Sequence, residues 1–119
     1  MSGIVFFGTN KLTELTDFYH KKIGCDIWLE QADCRIFRHN NFLLGFCTRK
    51  KIDINGIITF FFSNRREVDR LYEKYRSIAE TPPVNNEKYN IYHFFIRDPE
   101  GRKVEFQYFN SPVDSPEFQ

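Results

Sequence analysis

An α+β fold with an internal repeat is what the sequence predicts, on three observations. A short apolar strand leads into an amphipathic helix near the start of the chain, alternating strands follow, and the same succession begins again near the midpoint. Recurrence at about half the chain length marks two copies of one supersecondary unit.

In the first copy, Ile4-Val5-Phe6-Phe7 is an apolar run closed by Gly8 and predicts a buried strand. Thr9 or Asn10 is placed to cap a helix in which Leu12, Leu15, Phe18 and Tyr19 recur at helical spacing through Lys22. Gly24 then stands where a helix C-terminal glycine belongs. Strands are expected over 25–30, 34–39 and 42–48, with Asn40-Asn41 as a two-residue turn, because Asn tolerates the positive φ such turns need.

The second copy opens with a Phe-rich strand over 56–62 and a helix over 65–78, whose Val68, Leu71, Tyr72 and Tyr75 share one face. Thr81-Pro82-Pro83 ends it. A further strand is expected within 80–85, confined to a sheet edge by the two prolines. Strands over 89–97 and 102–109 complete the copy, joined by Asp98-Pro99-Glu100-Gly101. Pro at the second turn position and Gly at the fourth predict a type I turn with a glycine bulge, which is a three-residue hairpin loop. A single domain over 1–110 is expected, with repeats at about 1–50 and 55–110, and residues 111–119 form a loose tail.

Composition narrows the function classes. A formal net charge of +1 lacks the basic excess of a nucleic-acid-binding domain, and Arg49-Lys50-Lys51 is followed at once by Asp53, which suits a solvated turn. No apolar stretch approaches a membrane span and the first residues do not resemble a signal peptide, so a cytoplasmic protein is expected. Cys25, Cys34 and Cys47 lack CxxC spacing and are expected as reduced thiols, although the Asn40-Asn41 turn would set Cys34 opposite Cys47. Aromatic residues make up 18% of the chain, enough either for a Phe-rich core or for rings that also line a cleft or subunit seam.

Three stretches carry a likeness to a known group. They are Thr9-Asn10-Lys11-Leu12 running into Phe18-Tyr19 and Ile23-Gly24; Val68-Asp69-Arg70-Leu71-Tyr72; and the ending from Phe95 through Asp98-Pro99-Glu100-Gly101 to Glu105-Phe106. In these the chain resembles the vicinal oxygen chelate superfamily, the glyoxalase/bleomycin-resistance/dioxygenase group. The resemblance implies two βαβββ repeats forming a cupped mixed sheet with helices on the outer face, commonly paired into dimers. It also implies a divalent metal held by His, Gln and Glu side chains. Carried across residue by residue, the ligand positions fall on Ile4, on Ile57, on the stretch from Gly45 to Cys47 and on Glu105, so only Glu105 matches. Ile offers no lone pair to a metal, and no metal or other cofactor is expected.

Strand parity places the remaining polar groups. The three-residue loop sets Phe95 opposite Glu105 and His93 opposite Gln107, so His93, Phe95, Arg97, Lys103, Glu105 and Gln107 share one face, while Val104, Phe106 and Tyr108 pack under the helix. His93 beside Glu105 reads as a ligand anchor, as an acid/base pair, or as a cross-strand ion pair without catalytic use. Alternation in 25–30 sets Asp26, Trp28 and Glu30 on one face and Ile27 with Leu29 on the other, toward the helix. The expected binding residues are therefore Trp28, His93, Phe95, Arg97, Glu105 and Gln107. The first function they suggest is capture of a small, flat or partly apolar molecule by a homodimer. A metal-dependent lyase, isomerase or dioxygenase using His93 and Glu105 is the second, and a protein-interaction domain the third.

Overall fold

The computed structural model describes residues 1–114, which fall into two units, Met1–Ile54 and Asn55–Asp114. The first comprises β1 (Ile4–Thr9), α1 (Leu12–Thr16) with a π-helical continuation (Asp17–Ile23), β2 (Asp26–Glu30), β3 (Cys34–His39) and β4 (Phe42–Thr48). The second comprises β5 (Ile57–Phe62), α2 (Arg65–Tyr75), β6 (Val84–Asn86), β7 (Ile91–Arg97) and β8 (Lys103–Phe109). Each unit is a βαβββ repeat with one mixed sheet, in the order β1-β4-β3-β2 or β5-β8-β7-β6. In both, the first strand pairs parallel with the last and the other pairs are antiparallel. The expected tail extends beyond the described residues from 115 onward. None of the described helices is long and apolar enough to cross a membrane.

Aromatic side chains join each helix to its sheet. In the first unit Tyr19 stacks on Phe46 at 5.1 Å between ring centroids, with Phe18 edge-on to Tyr19 at 4.9 Å and Phe7 on Phe46 at 5.9 Å. The π-helical turn lets two consecutive residues, Phe18 and Tyr19, both enter this core, since its wider turn separates neighbours by a smaller angle than an α-helix does. In the second unit Tyr75 of α2 stacks on Phe106 at 5.9 Å, and Phe60 and Phe94 flank the same ring. Val104 and Phe106 are fully buried on this helix face, as parity predicts, and Tyr108 is half-buried. Such aromatic pairs add about 0.5–1.5 kcal/mol each beyond area burial.

The turns follow their residues. Asn40 takes φ 52° between the paired His39 and Phe42, and Gly24 ends the first helix at φ 94°. β6, just past Pro83, is an edge strand of the second repeat and pairs only with β7. At the Asp98-Pro99-Glu100-Gly101 hairpin, Arg97 faces Lys103 and Gly101 has φ 92°. Asp98 Oδ1 accepts hydrogen bonds from the backbone N–H of Glu100 and of Arg102, and Arg102 Nη1 donates to Glu100 Oε1 at 2.8 Å and to Asp98 Oδ2 at 3.3 Å. Arg102 is 1% exposed and Asp98 5%.

Several expectations need correcting. Ile4, Val5 and Phe6 are exposed, and β1 becomes buried only at Gly8 and Thr9. Neither Thr9 nor Asn10 occupies the N-cap, which is Lys11; Thr9 Oγ1 accepts the Lys11 N–H, just ahead of the helix. The second helix stops at Tyr75, whose carbonyl accepts from Ile78 and Ala79, and β7 begins at Ile91 because Asn90 is left-handed at φ 55°. Alternation in β2 is broken at Trp28. Ile27 faces Phe37 and Leu29 faces Ile36, so a bulge sends the two aliphatic residues to opposite faces and leaves Trp28 unpaired. Cys34 and Cys47 are not separate thiols but a disulfide between directly opposed residues whose Cα atoms lie 4.1 Å apart.

Two stability outcomes follow. Arg102→Ala leaves the buried Asp98 carboxylate without its guanidinium and is expected to cost about 3–5 kcal/mol, read as a lowered midpoint in urea unfolding. At Gly8 an added Cβ would stand 2.3 Å from the Lys51 backbone oxygen, whereas at Gly3 it would meet nothing within 4 Å. Gly8→Ala is therefore expected to cost about 1–3 kcal/mol in the same measurement, and Gly3→Ala to leave the midpoint unchanged.

Candidate functional site

The face of the second sheet turned away from α2 concentrates polar groups. On β8 it carries Lys103, Glu105, Gln107 and Phe109; β7 contributes Ile91, His93, Phe95 and Arg97; β5 contributes Ile57, Thr59 and Phe61. The hairpin loop sets this alignment, with Phe95 opposite Glu105 and His93 opposite Gln107, and the parallel β5–β8 pairing brings Thr59 opposite Glu105 from the other side.

Glu105 is the centre of the cluster. Its Oε2 lies 2.5 Å from His93 Nδ1, and its Oε1 accepts the Thr59 hydroxyl at 2.7 Å. With the Gln107 amide turned to donate, its nitrogen lies 3.1 and 3.2 Å from the two carboxylate oxygens. His93, Glu105 and Gln107 are 9%, 7% and 8% exposed, so the carboxylate is desolvated and its hydrogen bonds replace water. A carboxylate that accepts from Thr59 and Gln107 is best matched by a proton on Nδ1, which leaves Nε2 as the second hydrogen-bonding atom of the ring.

Aromatic rings frame the cluster. Phe95 meets the His93 ring edge-on at 5.2 Å, Lys103 Nζ stands 5.0 Å from the Phe95 centroid, and Phe61 meets Phe109 edge-on at 5.5 Å. Ile57 and Phe61 are exposed on this face.

The structure thus brings together four of the sequence-predicted residues, His93, Phe95, Glu105 and Gln107. Arg97 lies at the hairpin end of the same face, where its Nε donates to Glu80 and its Nη1 to the Gly101 carbonyl. Trp28 belongs to the first unit and is 47% exposed at its bulge. Ile4 is exposed and pairs with Leu43. Its strand neighbour Phe6 covers Gly45, whose missing side chain makes room for the ring. Thr59 was not singled out from the sequence, although alternation from Ile57 already puts it on the Glu105 face.

The other titratable candidates lie elsewhere. His20 Nδ1 is 2.8 Å from the Cys25 carbonyl at the end of the first helix. Burial lowers the pKa of His39 below its ordinary value, with Asp26 acting the other way. Burial, assisted by the Asp26 charge, pushes the Cys25 thiol up to about 12, which makes it a poor nucleophile. Among the described residues no three His, Cys, Asp or Glu side chains gather closely enough to hold a metal ion.

Known proteins give the fold a context. No family model matches the sequence, and no curated protein matches it. Solved structures do. A glyoxalase/bleomycin resistance protein/dioxygenase from Alicyclobacillus acidocaldarius is similar at a TM-score of 0.76 and 20% identity, over 93% of this chain and 92% of its own. Lactoylglutathione lyase from Agrobacterium tumefaciens is similar at 0.77 and 19%, over 92% and 94%. An integron cassette protein from the mobile metagenome of the Halifax Harbour sewage outfall is similar at 0.76 and 18%, over 91% and 97%. The chain has the glyoxalase/bleomycin-resistance/dioxygenase fold, that of the vicinal oxygen chelate superfamily.

The Glu105 network predicts a graded response at Thr59. Thr59→Val removes a hydrogen bond to a buried carboxylate and is expected to cost about 1.5–3 kcal/mol in urea unfolding, whereas Thr59→Ser keeps the hydroxyl and most of the stability.

Proposed function

We propose that this protein captures a small, flat or partly apolar molecule on an aromatic surface and does so without a resident metal. The observation that carries the reading is the saturation of Glu105. Thr59, His93 and Gln107 surround its carboxylate with donors, so the one residue that matches the superfamily's metal-ligand pattern is engaged by the protein itself. The residues at the other ligand positions do not fit a divalent cation either. Ile4 and Ile57 have no lone pairs, and the stretch from Gly45 to Cys47 provides no carboxylate, so a coordination sphere cannot be completed from these positions.

In this role the chain's own groups divide the work. Glu105 fixes the His93 ring through Nδ1, and Nε2 is then the polar atom that orients a ligand. Phe95 and Phe61 supply apolar area, and Lys103 and Arg97 favour a ligand that carries negative charge. Trp28, in the first unit, is a separate exposed ring on which a flat molecule can stack. The reading treats residues 1–110 as one functional module of a cytoplasmic homodimer, since exposed Ile4, Val5, Ile57 and Phe61 are apolar surface that pairing would cover.

Elemental analysis of the purified protein together with a ligand screen tests the proposal. Zn, Ni, Mn and Fe are expected well below one per chain, and chelator treatment is expected to leave the fold unchanged. Metabolites and aromatic compounds that quench Trp28 fluorescence should bind more weakly to Trp28→Ala by about 1 kcal/mol, and Glu105→Gln should change the preference among charged ligands. One tightly held metal per chain, whose removal abolishes activity or folding, would replace this reading with the metal-dependent enzyme. Sedimentation as a monomer at micromolar concentration would count against the dimer.

A further inference from the structure

We infer that the Cys34–Cys47 disulfide is a thiol–disulfide exchange site for low-molecular-weight thiols, working in the folded protein and attacked at Cys34. It belongs to the first unit and does not depend on the His93–Glu105 cluster.

Access is the first requirement. The two cysteines line a groove of about 490 Å³ together with Phe6, Gln31, Arg49 and Asp53. The volume admits a molecule of several heavy atoms. Its wall is firm on one side, because the Phe6 ring lies over Gly45, and on another because Asp53 Oδ2 accepts the Gly8 N–H at 2.8 Å.

The second requirement is a fold that survives opening of the bond. Around the disulfide the backbone is held independently: Gln31 N–H donates to the Cys34 carbonyl at 2.9 Å and Thr48 N–H to the Asp33 carbonyl at 2.8 Å. Antiparallel pairing runs on from Cys34–Cys47 to His39–Phe42 and the Asn40-Asn41 turn. Breaking the S–S bond therefore removes a cross-link and leaves the ladder intact.

Local charge sets the direction of attack. Asp33 Oδ1 lies 3.4 Å from the Cys34 sulfur, and Asp33 Oδ2 is paired with Arg49 Nη1 at 3.1 Å. A carboxylate beside Cys34 disfavours a thiolate there, so the better leaving group is Cys47, while Arg49 in the same groove offsets Asp33 toward an incoming anion. The step is a displacement at sulfur. The external thiolate bonds to Cys34 Sγ as the S–S bond breaks, Cys47 leaves with the electron pair and takes a proton, and a second external thiol resolves the mixed disulfide. Two cysteine thiols and one small disulfide result. The reverse exchange with that small disulfide restores the bond.

The test uses the oxidised full-length protein and 2-mercaptoethanol, with alkylation and peptide mass mapping. Expected in the folded protein is full reduction of Cys34 and Cys47 with unchanged circular dichroism, while Cys25 is alkylated only after denaturant is added. Because Asp33 lowers the thiolate fraction at Cys34, the disulfide of 2-mercaptoethanol should add more slowly to Cys34 in Cys47→Ser than to Cys47 in Cys34→Ser, the order that makes Cys47 the better leaving group. Asp33→Asn should narrow that difference. Reduction only on unfolding would mark a sealed structural cross-link and overturn the proposal. Three alkylatable thiols in denatured, oxidised protein would overturn it as well, as would slower adduct formation at Cys47 than at Cys34.

Discussion

The candidate site depends on the burial of Arg102 against Asp98 and Glu100. Two buried carboxylates and one buried guanidinium can be accommodated only in a geometry that satisfies all three, and that geometry is the tight hairpin between β7 and β8. The turn then admits one register. A slip by one residue would place Glu105 on the α2 face among Phe60 and Phe94, and would turn Phe106 outward. The ion network far along the strand thus holds the carboxylate where His93 and Thr59 reach it.

Glu105 shows how desolvation and hydrogen bonding act together. A carboxylate this buried is tolerated because three neighbours donate to it, and the donors come from β5, β7 and β8 itself. Removing any one of them leaves a partly satisfied buried charge, which is more costly than the hydrogen bond alone suggests. The same saturation makes the cluster rigid, and rigidity is useful to a site that must orient a ligand.

Much of this was legible in the sequence because local signals agreed with one another. Gly24, Asn40-Asn41 and Asp98-Pro99-Glu100-Gly101 mark turns whose backbone angles few other residues adopt, and the last of these specified the pairing of His93 with Gln107 and Phe95 with Glu105. Features set by nonlocal pairing were less legible. The bulge at Trp28 depends on how β2 meets β3, and nothing in the run from Asp26 to Glu30 announces it. The exposure of Ile4 to Phe6 depends on what packs over the start of β1, which an apolar run cannot reveal. Thr59 was within reach of alternation but acquires meaning only when the parallel pairing sets it beside Glu105. The facing of Cys34 and Cys47 was readable from the turn; the covalent bond between them was not.

The pairing of first strand with last in each repeat has a consequence for synthesis. Among the described residues β5 bonds along its length only to β8, the last of the described strands to be made. During translation the run Ile57-Ile58-Thr59-Phe60-Phe61-Phe62 therefore waits without its partner until Phe109 has left the ribosome. A six-residue, uncharged, β-prone and Phe-rich segment is a strong template for intermolecular pairing. Arg65-Arg66, just beyond it, places charge at its flank, a position in which gatekeeper residues restrain aggregation. Nascent-chain solubility, as well as the stability of the finished fold, thus constrains which residues can stand beside this strand.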